Sequence, residues 1–135
     1  MAQKFASILT LVLGLFATVT LIVGGIGIMN IMFATVSFRI REIGIRKAVG
    51  ATRQDITLQF LTEAILISVT GGAVGMLIGL GLPFSLRFFT EYRLPVPVLS
   101  AFIAILACCS VGIAFGTFPA KRAAALDPVE CLKFD

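Results

Sequence analysis

The chain has 135 residues, 59% hydrophobic and 13% charged, with eleven Lys and Arg against seven Asp and Glu and a net charge of +4. Soluble domains carry roughly a quarter charged residues, so this balance excludes an ordinary soluble domain, and the length bounds the chain to one unit. Histidine is absent and no phosphate loop of the form G-x-x-x-x-G-K-[ST] occurs, which excludes a histidine-based active site and ATP hydrolysis by that mechanism.

Three runs are free of charge: 5–38 with 34 residues, 64–86 with 23 and 94–120 with 27. A helix needs roughly 20 mostly apolar residues to cross about 30 Å of hydrocarbon. Each run predicts one crossing, over about 7–37, 60–86 and 96–119. The short alternating segments of a membrane β-barrel are absent. Lys4 ahead of the first run resembles a signal peptide, but a signal's apolar core is only about 7 to 15 residues. This run is too long for one straight crossing, so its helix is expected to project beyond the bilayer. Within it, Gly24, Gly25 and Gly27 precede Asn30 and are expected with it in helix packing; an amide in lipid is costly, so Asn30 is expected at a neighbouring helix or near the headgroups rather than as a transport-site ligand.

The segment "FRIREIGIRKAVGATRQD", 38–55, concentrates the charge between the first two runs. Read as helix over 39–49, it continues the first crossing, placing Ile40, Ile43, Gly44 and Lys47 on one side and Arg39, Glu42 and Arg46 on another. Arg39 with Glu42 and Glu42 with Arg46 are spaced as helical ion pairs. Gly50 reads as a stop, Thr52 as the next N-cap and Asp55 as the acid three residues on. The connection is therefore predicted as an ordered amphipathic elbow. Two readings of it carry equal weight on pattern alone: a topology signal resting by anionic lipid, or a helix that docks in a groove of a soluble partner.

In the second run Gly71, Gly75 and Gly79 recur every four residues, and the third has Gly112 and Gly116. Such stripes let helix backbones approach closely in lipid; the spacing predicts helix packing more strongly at 71/75/79 than at 112/116. Ser68, Thr70 and Ser110 read as helix hydrogen-bonding residues, since no acid or other base lies within the apolar runs. Pro95 and Pro97 mark the entry to the third crossing. Pro119 predicts a kink or an end to that helix. Asp127 as N-cap, Pro128 at the first helical position and Glu130 predict a short C-terminal helix, with Val129 and Leu132 on the membrane surface or on a partner. Cys108, Cys109 and Cys131 form no CxxC and read as buried small apolar residues; no metal-ligand spacing occurs.

Three crossings put Arg39, Arg41, Arg46, Lys47, Arg53, Lys121, Arg122 and Lys133, eight basic residues, on one side and Lys4, Arg87 and Arg93, three, on the other. The excess marks the cytoplasmic face. The elbow and C-terminus are expected in the cytoplasm and the N-terminus outside. An N-out first helix with almost no leader is expected where something upstream has been lost or is supplied separately.

The blocks "GGIGIMNIM", "REIGIRKAVGA", "QFLTEAILISVTGG" and "PAKRAAALDPVECLKFD", in this order and spacing, resemble the C-terminal membrane segment of the MacB/FtsX-type ABC transporter permeases, most nearly the MacB branch. The resemblance spans nearly the whole chain and implies an all-α membrane protein holding the family's second to fourth helices, without its first helix, extracytoplasmic domain or ATPase domain. It implies a permease of the bacterial inner membrane that is not itself an enzyme. Such a permease couples a cytoplasmic ABC ATPase, which holds ATP and magnesium, to export or extraction of a substrate such as a macrolide or antimicrobial peptide by mechanical transmission. The coupling elbow would comprise Arg39, Arg41, Glu42, Ile43, Gly44, Ile45, Arg46, Lys47 and Gly50. Implied partners are the ATPase, a second permease in a homodimer or heterodimer, an extracytoplasmic adaptor and membrane lipid, with no nucleic acid. The alternative is a structural or regulatory fragment that packs on a full-length permease through the Gly71/Gly75/Gly79 face without transport activity. The chain departs from the family at Phe38, where an acid is usual, and in ending on Lys133-Phe134-Asp135 where the family carries Arg-aromatic-Glu.

Overall fold

The computed structural model of the chain describes residues 1–90 and 98–133. Among these, five helices and no strand occur: α1 (Ala2–Phe38), α2 (Ile40–Ala48), α3 (Arg53–Phe89), α4 (Val98–Ala124) and α5 (Pro128–Lys133). The chain is a multi-pass membrane protein by the length and composition of α1, α3 and α4, each with an 18-residue window of mean hydropathy above 2. α1 has 37 residues, about 55 Å at the helical rise, well beyond a bilayer core. α3 is as long and contains the expected span at 60–86. Pro95 and Pro97, the start of the third expected span and the last two residues of the tail lie outside the described residues.

Two boundaries differ from the sequence expectation. α1 does not run on into the elbow: it ends at Phe38, and Arg39 takes φ −104° and ψ 14° before α2 resumes at Ile40. The Arg39 N–H is shared between the carbonyls of Thr35 at 3.1 Å and Val36 at 3.2 Å, so the residue at the break keeps its own donor paired. Pro119 does not end the third span; α4 continues through it to Ala124. Proline removes the hydrogen bond to the residue four before it, and Pro119 sits fully buried within the helix.

Burial is concentrated at one end. Met32 and Val36 of α1, Ile43 of α2, Ile56, Phe60 and Ala64 of α3, and Ala120, Ala123 and Ala124 of α4 form a single core beneath the elbow. Elsewhere the long helices present large apolar side chains outward, among them Leu11, Leu77 and Leu99, as suits helices whose solvent is hydrocarbon.

α3 and α4 meet through small residues. A Cβ on Gly112 would lie 2.8 Å from the Ser68 Cβ, and one on Gly116 would overlap Ala64. Ser68 is buried and its hydroxyl donates across the interface to the Cys108 carbonyl, so a polar atom in the apolar layer is satisfied between helices. Thr70 and Ser110 instead donate to carbonyls of their own helices, Leu66 at 2.9 Å and Leu106 at 2.7 Å. α1 reaches α4 through Gly25, packed against the Phe115 ring, and through an edge-to-face contact of Phe33 and Phe118 with centroids 5.7 Å apart. Arg122 stands over the Phe33 ring, 5.4 Å from its centroid.

Candidate coupling site

The elbow forms because its residues allow two sharp redirections around a short amphipathic helix. At the far end of α2, Gly50 adopts φ 113°, a region that side-chain-bearing residues rarely enter. Thr52 then caps α3 in a full capping box: its hydroxyl accepts from the Asp55 N–H, and the Asp55 carboxylate accepts from the Thr52 N–H at 2.9 Å. Two of the orphan donors that open a helix are thereby satisfied.

α2 divides by face. Ile43 and Gly44 are buried, Ile40 and Lys47 half-buried, while Arg41, Ile45 and Arg46 are exposed. Glu42 pairs along the helix with Arg46 at 2.7 Å and with Arg39 at 3.9 Å. Both pairs are solvated, and each contributes only a few tenths of a kcal/mol, roughly.

Three contacts absent from the sequence reading anchor α2 to the spans. Arg39 donates to Glu63 of α3 at 2.9 Å. Arg46 reaches the Gln59 amide oxygen one turn earlier. Beside Arg46, at the end of α2 away from Arg39, the Lys47 ammonium donates to the carbonyls of Ala124 and Leu126, which close α4 and lead into α5. Burial first, then the nearby Arg53 charge, push the Lys47 ammonium below its usual range, with Cys131 and Asp127 acting the other way. Glu63 could have been found in sequence as the one acid in "QFLTEAIL", set at the edge of an apolar run. Ala124 and Leu126 offered no signal, because a backbone carbonyl looks alike at every residue.

α5 lies against the buried face of α2. The Asp127 carboxylate accepts from the Val129 N–H at 3.1 Å, and Pro128 occupies the first helical position. This seats Cys131 on Gly44, where a Cβ would come within 2.6 Å of the Cys131 Cβ. Cys131 is 1% exposed, and burial raises its thiol above the usual range. Glu130, Val129 and Leu132 are exposed.

The glycines sort differently from their spacing. Gly25, Gly112 and Gly116 sit in contacts within the chain, and Gly72 packs on the Cys108 side chain. Gly24, Gly27, Gly71, Gly75 and Gly79 have open space where a Cβ would be. Gly71, Gly75 and Gly79 line the floor of an apolar groove between α1, α3 and α4, bounded also by Thr20, Leu21 and Cys108. Asn30 is exposed on α1, eight residues before the helix ends at Phe38. No group of three or more metal-binding side chains occurs among the described residues.

Residues 14–128 match the FtsX-like permease C-terminal family. The chain is 43% identical over 134 residues to the Macrolide export ATP-binding/permease protein MacB of Burkholderia thailandensis, covering 98% of this chain and 20% of that protein. It is 48% identical over 127 residues to MacB 1/2 of Paracoccus denitrificans, covering 93% and 19%. It is 44% identical over 134 residues to a probable export ATP-binding/permease protein MacB of Pseudomonas entomophila, covering 98% and 20%. The chain thus spans about a fifth of the length of these curated relatives.

Proposed function

The chain belongs to the FtsX-like permease C-terminal family, and from that premise we propose that it is the part of an ABC exporter that carries motion from a cytoplasmic ATPase into the membrane. The observation that carries this reading is the division of α2: one face is held by α3, α4 and α5, while Arg41 and Ile45 stand exposed on the other, with Val49 exposed just past its end. A helix so held cannot rotate freely, so a force on its outer face passes to the spans. Basic and apolar groups side by side suit a soluble partner's groove better than lipid alone.

In this reading the elbow and C-terminus face the cytoplasm and the N-terminus faces outward, in keeping with eight basic residues against three. ATP and magnesium are held by the ATPase, and the chain supplies no catalytic group. The permease works as a dimer in the bacterial inner membrane, with an adaptor outside. The exported class is that of the relatives named for macrolides. The test is a mild-detergent pull-down with mass spectrometry, comparing wild type with Arg41→Glu, which reverses charge on the outer face without touching Glu63. Recovery of an ATPase with wild type and its loss in the variant are expected; equal recovery would sink the docking role.

The open Gly71/Gly75/Gly79 face favours a second reading, in which the chain packs on a full-length permease and has no transport role. Stable association without any effect on ATP turnover is its signature.

A further inference from the structure

Helix α4 ends in a buried place. Ala124 is 4% exposed, and helix ends leave carbonyls without partners, each costly when removed from water. Two are taken locally: Ala125 N–H donates to Lys121 at 3.0 Å and Leu126 N–H to Ala123 at 3.4 Å. The carbonyls of Ala124 and Leu126 are met by the Lys47 ammonium, which comes from 77 and 79 residues away. A cation at a helix C-terminus is also favoured by the partial negative charge there.

We propose that Lys47 is a positioning residue for transmission: by capping the α4 terminus from α2, it makes the elbow and the third span move as one body. Arg39 on Glu63 and Arg46 on Gln59 hold the elbow to α3, so the elbow is fastened to two different spans, and Lys47 supplies the link to α4. A cationic head with several N–H donors fits this place because it can serve two carbonyls at once. The proposal rests on the coupling role given above and names the contact that carries the motion.

The test uses the full transporter with its ATPase in membranes, comparing wild type, K47M, K47Q and K47R. The first readout is the alkylation rate of Cys131, with Cys108 and Cys109 replaced by Ser, and it needs no ATPase activity. K47M should raise that rate roughly tenfold, as loss of a charge-assisted hydrogen bond implies, K47Q less, and K47R should return it towards wild type. Losing the ammonium alone would lift the thiol further and slow the reaction, so acceleration reports release of α5. The second readout is ATP-dependent labelling of a Leu99→Cys variant with all three native cysteines replaced, some 38 Å along α4 from Ala124. K47M should lose the ATP-dependent change while the ATPase still co-purifies, and K47R should restore it. An unchanged Cys131 rate in K47M overturns the clamp, and a retained ATP response at Leu99→Cys overturns its role in transmission. An absent ATP response in wild type would overturn the coupling reading and, with it, transmission through Lys47.

Discussion

Arg39, the residue at which the first span breaks, lies 2.9 Å from Glu63, 24 residues on in the next long helix. The turn between span and elbow is thus fastened to a neighbouring span at the point where the backbone is least regular. Both side chains are partly exposed, at 42% and 32%, so this ion pair adds well under about 1 kcal/mol to stability. Its value lies in direction. Glu63→Gln should shift thermal unfolding in detergent by no more than a few degrees, roughly, yet lower ATP-driven transport. The exchanged pair Arg39→Glu with Glu63→Arg should recover part of the loss, and no recovery would mean the two residues act separately.

The third-span glycines should tolerate change far less than the second-span stripe. Gly116→Val places atoms on Ala64, and overpacking of this kind costs about 1–3 kcal/mol. A Cβ on Gly75 meets nothing within 4 Å and opens onto the groove, so Gly75→Leu should leave the stability of the single chain within about 0.5 kcal/mol. Detergent melting curves check both. If Gly75→Leu weakens crosslinking between copies while melting is unchanged, the open groove is an interface with another chain.

Gly50→Ala isolates a backbone effect. Nothing lies within 4 Å of the added methyl, but the residue sits at φ 113°, and holding alanine there costs about 1–3 kcal/mol. Faster limited proteolysis between α2 and α3 is expected, with the spans still inserted. Unchanged cleavage would show that the elbow absorbs the strain by another route.

Cys131 should report α5 docking through pH. Burial raises its thiol, so the docked form binds a proton that the undocked form releases. Docking is then fully favoured below the ordinary thiol value, about 8.5, and weakens as pH rises from there through the raised value. Alkylation of Cys131 should accelerate over that interval more steeply than that of an exposed cysteine. Gly44→Ser, which pushes on the Cys131 side chain, should bring the acceleration to lower pH; an identical profile would place the two helices apart in solution.

The number of spans, the elbow with its Gly50 stop and Thr52 cap, and the Asp127–Pro128 start of α5 were all legible in sequence. Each depends on local physics: the length of hydrocarbon to cross, the backbone freedom of glycine, or a side chain reaching two or three residues along its own chain. Nothing local distinguishes a glycine that faces a helix from one that faces lipid, because both surroundings are apolar and the spans are greasy on every side. That choice, Gly112 and Gly116 rather than Gly71 and Gly75 for contacts within this chain, was made by which faces of α3 and α4 meet. The break at Arg39 and its partner Glu63 belong to the same category, as does the pairing of Lys47 with two carbonyls at the end of α4. A charge at the membrane edge finds whatever oxygen the packing of distant helices brings to it, and only the tertiary structure decides which oxygen that is.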